Sequence, residues 1–148
     1  METTQDYKEL LKLLNENEVK YLIVGAHALA FYGAPRLTGD LDIFVDNDKS
    51  NAGRVFRALS EFGFSNTGLS EEDFTSEDIV VQLGYPPVRI DIMTSLTGVS
   101  WDEAWTNREV GKYGEIEVFY LNKKLFISNK TALGRKKDLA DLEAIGEI

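Results

Sequence analysis

Two aspartates, Asp40 and Asp42, are the residues of this sequence whose type and spacing point most directly to chemistry. They are two positions apart at the start of a predicted β-strand, 41–45. Their side chains therefore leave the same face of the strand, with Cα atoms about 6.5 Å apart. Adjacent carboxylates repel each other and resist burial. Because a divalent cation would offset that cost, the pair predicts a metal site.

Asp91 is a third acid in a similar position. In the predicted strand 88–93, Val88, Ile90 and Ile92 share one face, whereas Arg89 and Asp91 share the other. If this strand lies beside the strand that carries the aspartate pair, three carboxylates converge. Such a cluster can hold two Mg²⁺ ions about 3.5–4 Å apart, an arrangement used for in-line displacement at phosphorus.

The turn at Gly25 and Ala26 is the second candidate part of such a site. A buried strand is predicted over 21–24 and a short helix over 26–32, so the turn joins a strand to a helix. Glycine lets the backbone approach a ligand closely, and free N–H groups in the first turn of a helix bind phosphate oxygens. The order and spacing of the turn and the acids together indicate a phosphate-binding site.

Composition narrows the classes of function. The chain has 148 residues, no cysteine and one histidine, His27. This excludes disulfides, thiolate nucleophiles, multi-histidine metal centres and Ser-His-Asp chemistry elsewhere in the chain. The net charge of −9 argues against a general electrostatic attraction to RNA or to an anionic membrane. With no bilayer-spanning stretch and no secretory signal, we expect a cytoplasmic protein with one domain over 1–148.

Helices and strands are interspersed along the chain. Helices are predicted over 6–17, 26–32, 101–108, 122–133 and 136–145. A further helix is predicted to begin at a cap, Asp48 or Ser50, and to run to about residue 62. Strands are predicted over 21–24, 41–45, 79–83, 88–93 and 115–120. The later strands are joined in a hairpin, which favours an α/β (α+β) domain with a mixed sheet flanked by helices. The C-terminal helices, 122–146, are expected to pack on it, with Leu139, Leu142 and Ile145 facing inward.

The residues singled out above resemble the signature of the DNA polymerase beta-like nucleotidyltransferase superfamily. That signature is an apolar residue, Gly, then Gly or Ser, a short helix, and Asp-x-Asp on a strand, with a third acid on a later strand. The sequence matches it in order and spacing at Val24-Gly25-Ala26, Asp40-Leu41-Asp42 and Asp91. Ala26 stands where the signature has Gly or Ser, so a serine hydroxyl contact to phosphate is lost.

The chain is also similar, from about 19 to 145, to small stand-alone nucleotidyltransferases related to abortive-infection (AbiEii-type) toxins. Their C-terminal pattern is a lysine on a helix followed by a basic residue and Asp-x-x-Asp. Lys130 and the run from Arg135 through Lys137 and Asp138 to Asp141 resemble it.

The resemblance implies nucleotidyl transfer and a role for each matching residue. Asp40 and Asp42 would hold two Mg²⁺ or Mn²⁺ ions. Asp91 would hold the ion that activates an acceptor hydroxyl, or would take the proton of that hydroxyl directly. Gly25 and Ala26 would hold the phosphates of a nucleoside triphosphate. The hydroxyl, on a small molecule, a protein or an RNA end, would attack the α-phosphorus, and pyrophosphate would leave.

Basic residues are the remaining candidates for nucleotide binding. Six of them and no acid lie between Lys123 and Lys137, which indicates either a solvated helix face or a positive wall for a triphosphate or an RNA acceptor. Lys130 and Lys137 share a face if one helix runs through Gly134. A salt bridge from Asp138 would orient such a base. Arg36 is interpreted either as a phosphate or acceptor contact or as a solvated loop residue.

Other polar and aromatic residues have ordinary structural interpretations beside the functional ones. His27 is interpreted as a core histidine, Trp101 and Trp105 as core packing, and Asp48 as part of a turn and helix cap. Arg89 is a candidate salt-bridge partner for Asp91.

The alternative function is a non-catalytic module that binds nucleotide or a partner protein, such as one component of a toxin–antitoxin pair. A second copy of the chain or a partner protein is a further candidate for holding the acceptor.

Overall fold

One mixed β-sheet forms the framework of the protein. The structure, a computed structural model, describes residues 4–35, 38–64, 68–85 and 87–147. Within these residues the strands are β1 (Tyr21–Val24), β2 (Asp40–Val45), β3 (Val80–Leu83), β4 (Arg89–Met93), β5 (Glu109–Tyr113) and β6 (Ile116–Tyr120). The α-helices are α1 (Gln5–Glu16), α2 (Gly25–Phe31), α3 (Lys49–Leu59), α4 (Trp101–Thr106), α5 (Lys123–Leu133) and α6 (Lys136–Ala144).

The sheet has the strand order β3-β4-β2-β1-β6-β5. Strand β2 is antiparallel to β1 and parallel to β4, and β1 is parallel to β6. The β3–β4 and β5–β6 pairs are antiparallel. The predicted mixed sheet flanked by helices is therefore confirmed, and the strand that carries the aspartate pair has the Asp91 strand as its direct neighbour.

The core lies around the central strands. All four residues of β1 are buried, which explains why its sequence is a continuous apolar run rather than an alternating one. The buried residues of α1, which include Tyr7, Leu10 and Leu11, cover part of this core. The hydroxyl of Tyr7 is 3.0 Å from the backbone carbonyl oxygens of both Gly39 and Arg89. This contact joins α1 to the starts of the two strands that carry the acids.

The local signals for helix ends agree well with the structure. The Asp48 side chain accepts a hydrogen bond from the Asn51 backbone N–H at the start of α3, and Asn122 does the same for the Leu125 N–H in α5. The predicted helical run to about residue 62 agrees with the structure, in which a wider helical turn over Ser60–Phe64 follows α3. Gly63 in that turn has a positive φ of 117°, which an ordinary α-helix does not contain.

The two C-terminal helices are separate, as predicted, but one expectation about their packing is wrong. Gly134 ends α5 with a left-handed backbone conformation and α6 starts at Lys136, so the condition under which Lys130 and Lys137 would share one helix face is not met. Leu139 was expected to face inward but is 42% exposed. The break at Gly134 resets the direction of the following helix, and α6 instead buries Leu142 together with two of its aspartates.

Strand β5 was not predicted at all. It forms an edge of the sheet, and of its residues only Tyr113 is buried. Gly111 lies beneath the ring of Phe31, which stacks on Tyr120. A strand with one buried side chain and a central glycine carries too little alternation to be recognised from sequence. In the described part of the chain, no helix is long and apolar enough to cross a membrane.

Candidate active site

The register between β2 and β4 brings the predicted acids together. Asp42 lies directly opposite Asp91, and Asp40 lies directly opposite Arg89. Because directly paired residues project from the same face of a sheet, the three carboxylates and the guanidinium form one cluster. Below, this group of Asp40, Asp42, Arg89 and Asp91 is called the acid cluster.

The carboxyl groups of Asp42 and Asp91 are close enough to interact directly. Asp91 is only 7% exposed, and its Oδ1 atom is buried without a hydrogen-bond partner among the described residues. Burial, followed by the charge and contact of Asp91 and the charge of Asp40, raises the pKa of Asp42 to about 7, and Lys130 partly opposes this rise. Two facing carboxyl groups without a cation therefore hold a proton near neutral pH.

The raised pKa of Asp42 predicts that the metal-free protein loses stability as the pH rises. Between the ordinary value of 3.8 and the folded value of about 7, the folded chain holds a proton that the unfolded chain releases, so the free energy of unfolding falls through this window. Three pKa units correspond to an upper bound of about 4 kcal/mol. Solvent screening at the partly exposed Asp42 reduces the expected loss to about 1–2 kcal/mol.

Urea unfolding at pH 5 and pH 8, with a chelator present, measures this loss. Asp42→Asn is the matched variant, because it keeps the size of the side chain and removes the titration. We expect the wild type to lose more stability than the variant between the two pH values. The same loss in both proteins would contradict the electrostatic coupling of Asp42 and Asp91.

Arg89 is the counter-ion of the acid cluster. Its Nε atom is 2.9 Å from Asp40 Oδ1 and its Nη2 atom is 3.0 Å from Asp40 Oδ2. The same Nη2 atom is 3.4 Å from Asp91 Oδ2. The salt bridge between Arg89 and Asp91 was one interpretation of the sequence. The closer contact with Asp40, one hydrogen bond from Nη2 and an ion pair at Nε, was missed, because it depends on which residues the strand register pairs.

The turn at Gly25 and Ala26 lies against the acid cluster. Val24 is the register partner of Asp42 in β1, and Gly25 follows it as the first residue of α2. Gly25 has a positive φ of 65°, and a Cβ atom there would overlap the Asp42 carboxylate. Glycine is therefore required at this position on two counts, backbone conformation and contact with Asp42.

A cleft of about 280 Å³ lies at this turn and at Asp40 and Asp42, whereas Asp91 and Arg89 are not among its lining residues. Its walls include the Gly25–Ala26 turn, Asp40 and Asp42, and basic residues from the two C-terminal helices and the turn between them. The lining residues are Val24, Gly25, Ala26, Thr38, Asp40, Asp42, Met93, Leu96, Asn129, Lys130, Leu133, Arg135, Lys137 and Asp141. Lys130 and Lys137 thus share the cleft although they lie on different helices. Thr38 and Asn129 are lining residues that the sequence analysis did not single out, and no motif marks them.

A larger cleft, of about 600 Å³, lies at the opposite end of β1, beside Lys20, Trp105 and Phe119. It contains neither the paired acids nor the glycine turn. We therefore place the candidate site in the smaller cleft, where carboxylates and basic groups converge.

Lys130 is buried within a salt-bridge network. It is 8% exposed, and its Nζ atom lies 3.1 Å from Asp141 Oδ2 and 3.5 Å from Asp138 Oδ1. The Nε atom of Arg135 lies 2.6 Å from Asp138 Oδ2, and this hydrogen bond is the main cause of a lowered pKa for Asp138. The two aspartates of the C-terminal motif thus hold Lys130 in a fixed position at the wall of the cleft.

Trp101 and Trp105 fit their interpretation as core residues, whereas the interpretation of His27 as a satisfied core histidine holds only in part, because neither ring nitrogen has a hydrogen-bond partner within the described residues. His27 is 5% exposed and its ring packs edge-on against Tyr7 and Tyr113. Burial lowers its pKa, so the neutral form is favoured. Trp101 and Trp105 stack on each other at a centroid distance of 5.6 Å, and both pack against the core. Arg36, a candidate for phosphate binding, lies outside the described residues.

The acid cluster offers oxygen ligands to a divalent cation. In the described ranges, no group of three or more acids or histidines has the geometry of a metal site. The facing carboxyl groups of Asp42 and Asp91, with the unpartnered Oδ1 of Asp91, are nevertheless the oxygen ligands that Mg²⁺ and Mn²⁺ prefer. These two residues fit a cation without rearrangement of the strands.

The overall architecture is that of a nucleotidyltransferase. A crystal structure of a candidate nucleotidyltransferase from Thermotoga maritima matches this chain with a TM-score of 0.64 at 18% sequence identity, over 93% of this chain and 88% of that chain. A family model described as "Nucleotidyl transferase of unknown function (DUF2204)" matches residues 3–148, and the chain belongs to this family. No curated protein is significantly similar to it.

Proposed function

We propose that this protein transfers a nucleoside monophosphate from a nucleoside triphosphate to a hydroxyl group, with Mg²⁺ or Mn²⁺ as cofactor and release of pyrophosphate. The observation that carries the proposal is the register of β2 and β4, in which Asp42 faces Asp91 beside the Gly25 turn. A pair of nearly buried carboxyl groups next to a close backbone approach is costly for a purely structural role.

Each part of the cleft has a role in this reaction. The backbone at Gly25 and Ala26 contacts the phosphates, and Lys130 and Lys137 supply positive charge beside them. Asp42 and Asp91 hold the divalent cation, which when bound neutralises charge on the phosphates and lowers the pKa of an acceptor hydroxyl. The acceptor oxygen forms a bond to the α-phosphorus, and the bond from that phosphorus to the pyrophosphate oxygen breaks. The acceptor proton passes to water, because Oδ1 of Asp91 would hold the ion and its Oδ2 lies 3.4 Å from Arg89.

The charge of the protein bears on the acceptor. With a net charge of −9, a small molecule or a protein hydroxyl is favoured over an RNA end, because nucleic-acid binding depends on many positive contacts. The basic groups at the cleft are partly neutralised by Asp138 and Asp141.

Asp91→Asn is expected to abolish transfer while leaving measurable triphosphate binding. The substitution keeps the size of the side chain but removes one charged ligand of the cation that activates the acceptor hydroxyl. Each labelled triphosphate is incubated with Mg²⁺ or Mn²⁺ and cell extract, and labelled products are separated; binding is measured in parallel. Asp102→Asn, an exposed acid in the first turn of α4, is the matched control and should behave as wild type.

The same assay tests the alternative of a non-catalytic module. A wild-type protein that binds a triphosphate as tightly as Asp91→Asn does, yet labels no acceptor in any extract, would contradict the enzyme and favour a nucleotide- or partner-binding role.

A further inference from the structure

Arg89 divides the acid cluster into two unequal parts. Its guanidinium engages both oxygens of Asp40, at 2.9 and 3.0 Å, and one oxygen of Asp91, at 3.4 Å. Nη2 donates a hydrogen bond to Asp40 Oδ2, whereas Nε lies at ion-pair distance from Oδ1 and makes no hydrogen bond within the described residues. Both oxygens of Asp40 and Oδ2 of Asp91 are therefore already neutralised by a charge from the chain itself.

The carboxyl groups that remain without a cation are on the other side of the cluster. Oδ1 of Asp91 has no hydrogen-bond partner within the described residues, and it belongs to the carboxylate that faces Asp42. Lys130 is near enough to influence Asp42, but its ammonium is held by Asp138 and Asp141 at 3.5 and 3.1 Å. Asp42 and Asp91 Oδ1 are thus the ligands that lack a fixed positive partner.

We propose that Arg89 is a positioning residue that takes the place of one divalent cation in the nucleotide-free protein, so that Asp42 and Asp91 bind a single ion while Asp40 is withheld. The inference rests on the proposed function and specifies how its site is loaded. A second ion can use Asp40 only after the guanidinium leaves it. Arg89 therefore sets both the number of ions and the affinity of the resting site.

The register of the sheet places Arg89 where it can contact both Asp40 and Asp91. Arg89 precedes Asp91 by two residues, so both side chains leave the same face of β4, and the parallel pairing puts Arg89 directly opposite Asp40. The side chains of Arg89 and Asp40 are each about one-third exposed. The guanidinium can therefore exchange with an ion from solvent without unfolding of either strand.

The experiment is a titration of the nucleotide-free protein with Mn²⁺. Calorimetry measures the heat of binding, and the paramagnetic signal of the free ion measures how many ions are bound per chain. We expect one ion per chain for the wild type. Arg89→Gln should bind a second ion, because removal of the guanidinium frees the Asp40 carboxylate and the positive charge that repels a cation is gone. Arg89→Lys, which keeps the charge but only one nitrogen beside Asp40, should lie between them.

Two further variants make the result specific. The double variant Arg89→Gln with Asp40→Asn removes both partners of the salt bridge, and it should return to one ion because the second site needs Asp40. Arg54→Gln, whose guanidinium contacts Ser50 at the other end of the sheet, is the control for loss of a positive charge and should match the wild type. Thermal unfolding without metal should show a lower midpoint for Arg89→Gln and a larger rise on addition of Mn²⁺ than for the wild type.

Two ions bound by the wild type, or an unchanged stoichiometry and affinity in a folded Arg89→Gln, would overturn the inference. A gain that persists in the double variant would also overturn it, because the gain would not then depend on Asp40. Absence of Mn²⁺ binding in all variants would do the same. The proposed function is judged separately by the transfer assay: a protein that shows the expected titrations but transfers no nucleotide would contradict the function and leave the role of Arg89 intact.

Discussion

Asp42→Asn is expected to reduce nucleotidyl transfer by at least about 10³-fold, because a charged ligand of a catalytic cation contributes several kcal/mol to the transition state. The same substitution should remove the thermal stabilisation that Mg²⁺ or Mn²⁺ gives together with a triphosphate, since a ligand that binds only the folded state stabilises it. Turnover with a labelled triphosphate and thermal midpoints with and without metal measure the two effects.

A control variant and a measurement without metal make this prediction specific to Asp42. Asp102→Asn should retain both turnover and the metal-dependent shift. Without metal, Asp42→Asn should be at least as stable as the wild type above pH 7, because it relieves the repulsion between Asp42 and Asp91. The double replacement of Asp40 and Asp42 is a poorer test than the single one, because it also removes the partner of Arg89. An equal metal-dependent shift in wild type and Asp42→Asn would exclude Asp42 as a ligand.

Lys130→Ala is expected to destabilise the fold by about 3–5 kcal/mol, which is the usual cost of breaking a buried ion pair from one side. Lys130 is 8% exposed, and its removal leaves Asp138 and Asp141, which are 0% and 3% exposed, without their lysine partner. Nucleotide binding should also weaken strongly. Urea unfolding gives the first effect, and titration with a triphosphate below the unfolding transition gives the second.

Lys124→Ala is the matched control for this position, since it lies near the other end of α5 and is exposed. It should change the free energy of unfolding by less than about 0.5 kcal/mol. Lys123→Ala should behave similarly, although Lys123 forms an exposed salt bridge with Glu147. If Lys124 and Lys130 variants weaken a nucleic-acid complex equally and with a steep salt dependence, the basic segment is a wall for RNA instead. Unchanged stability and affinity in Lys130→Ala would remove Lys130 from the site.

The sequence by itself determined the elements whose signals are local. The continuous apolar run of β1, the Asp48 and Asn122 caps and the glycine at the end of α5 each depend on residues within a few positions of one another. The nucleotidyltransferase fold was implied by the resemblance of the Gly25 turn and the three acids to the signature of a known superfamily. Strand β5 escaped prediction because only Tyr113 of its residues is buried.

The tertiary structure decided which charges meet. A shift of one residue between two strands moves every side chain to the other face, and no local signal specifies the register between β2 and β4. That register pairs Asp42 with Asp91 and Asp40 with Arg89. The carboxyl group of Asp40 is therefore neutralised by Arg89, whereas those of Asp42 and Asp91 face each other. The burial of Lys130 between two aspartates likewise depends on the angle between α5 and α6, which the packing of the whole domain determines.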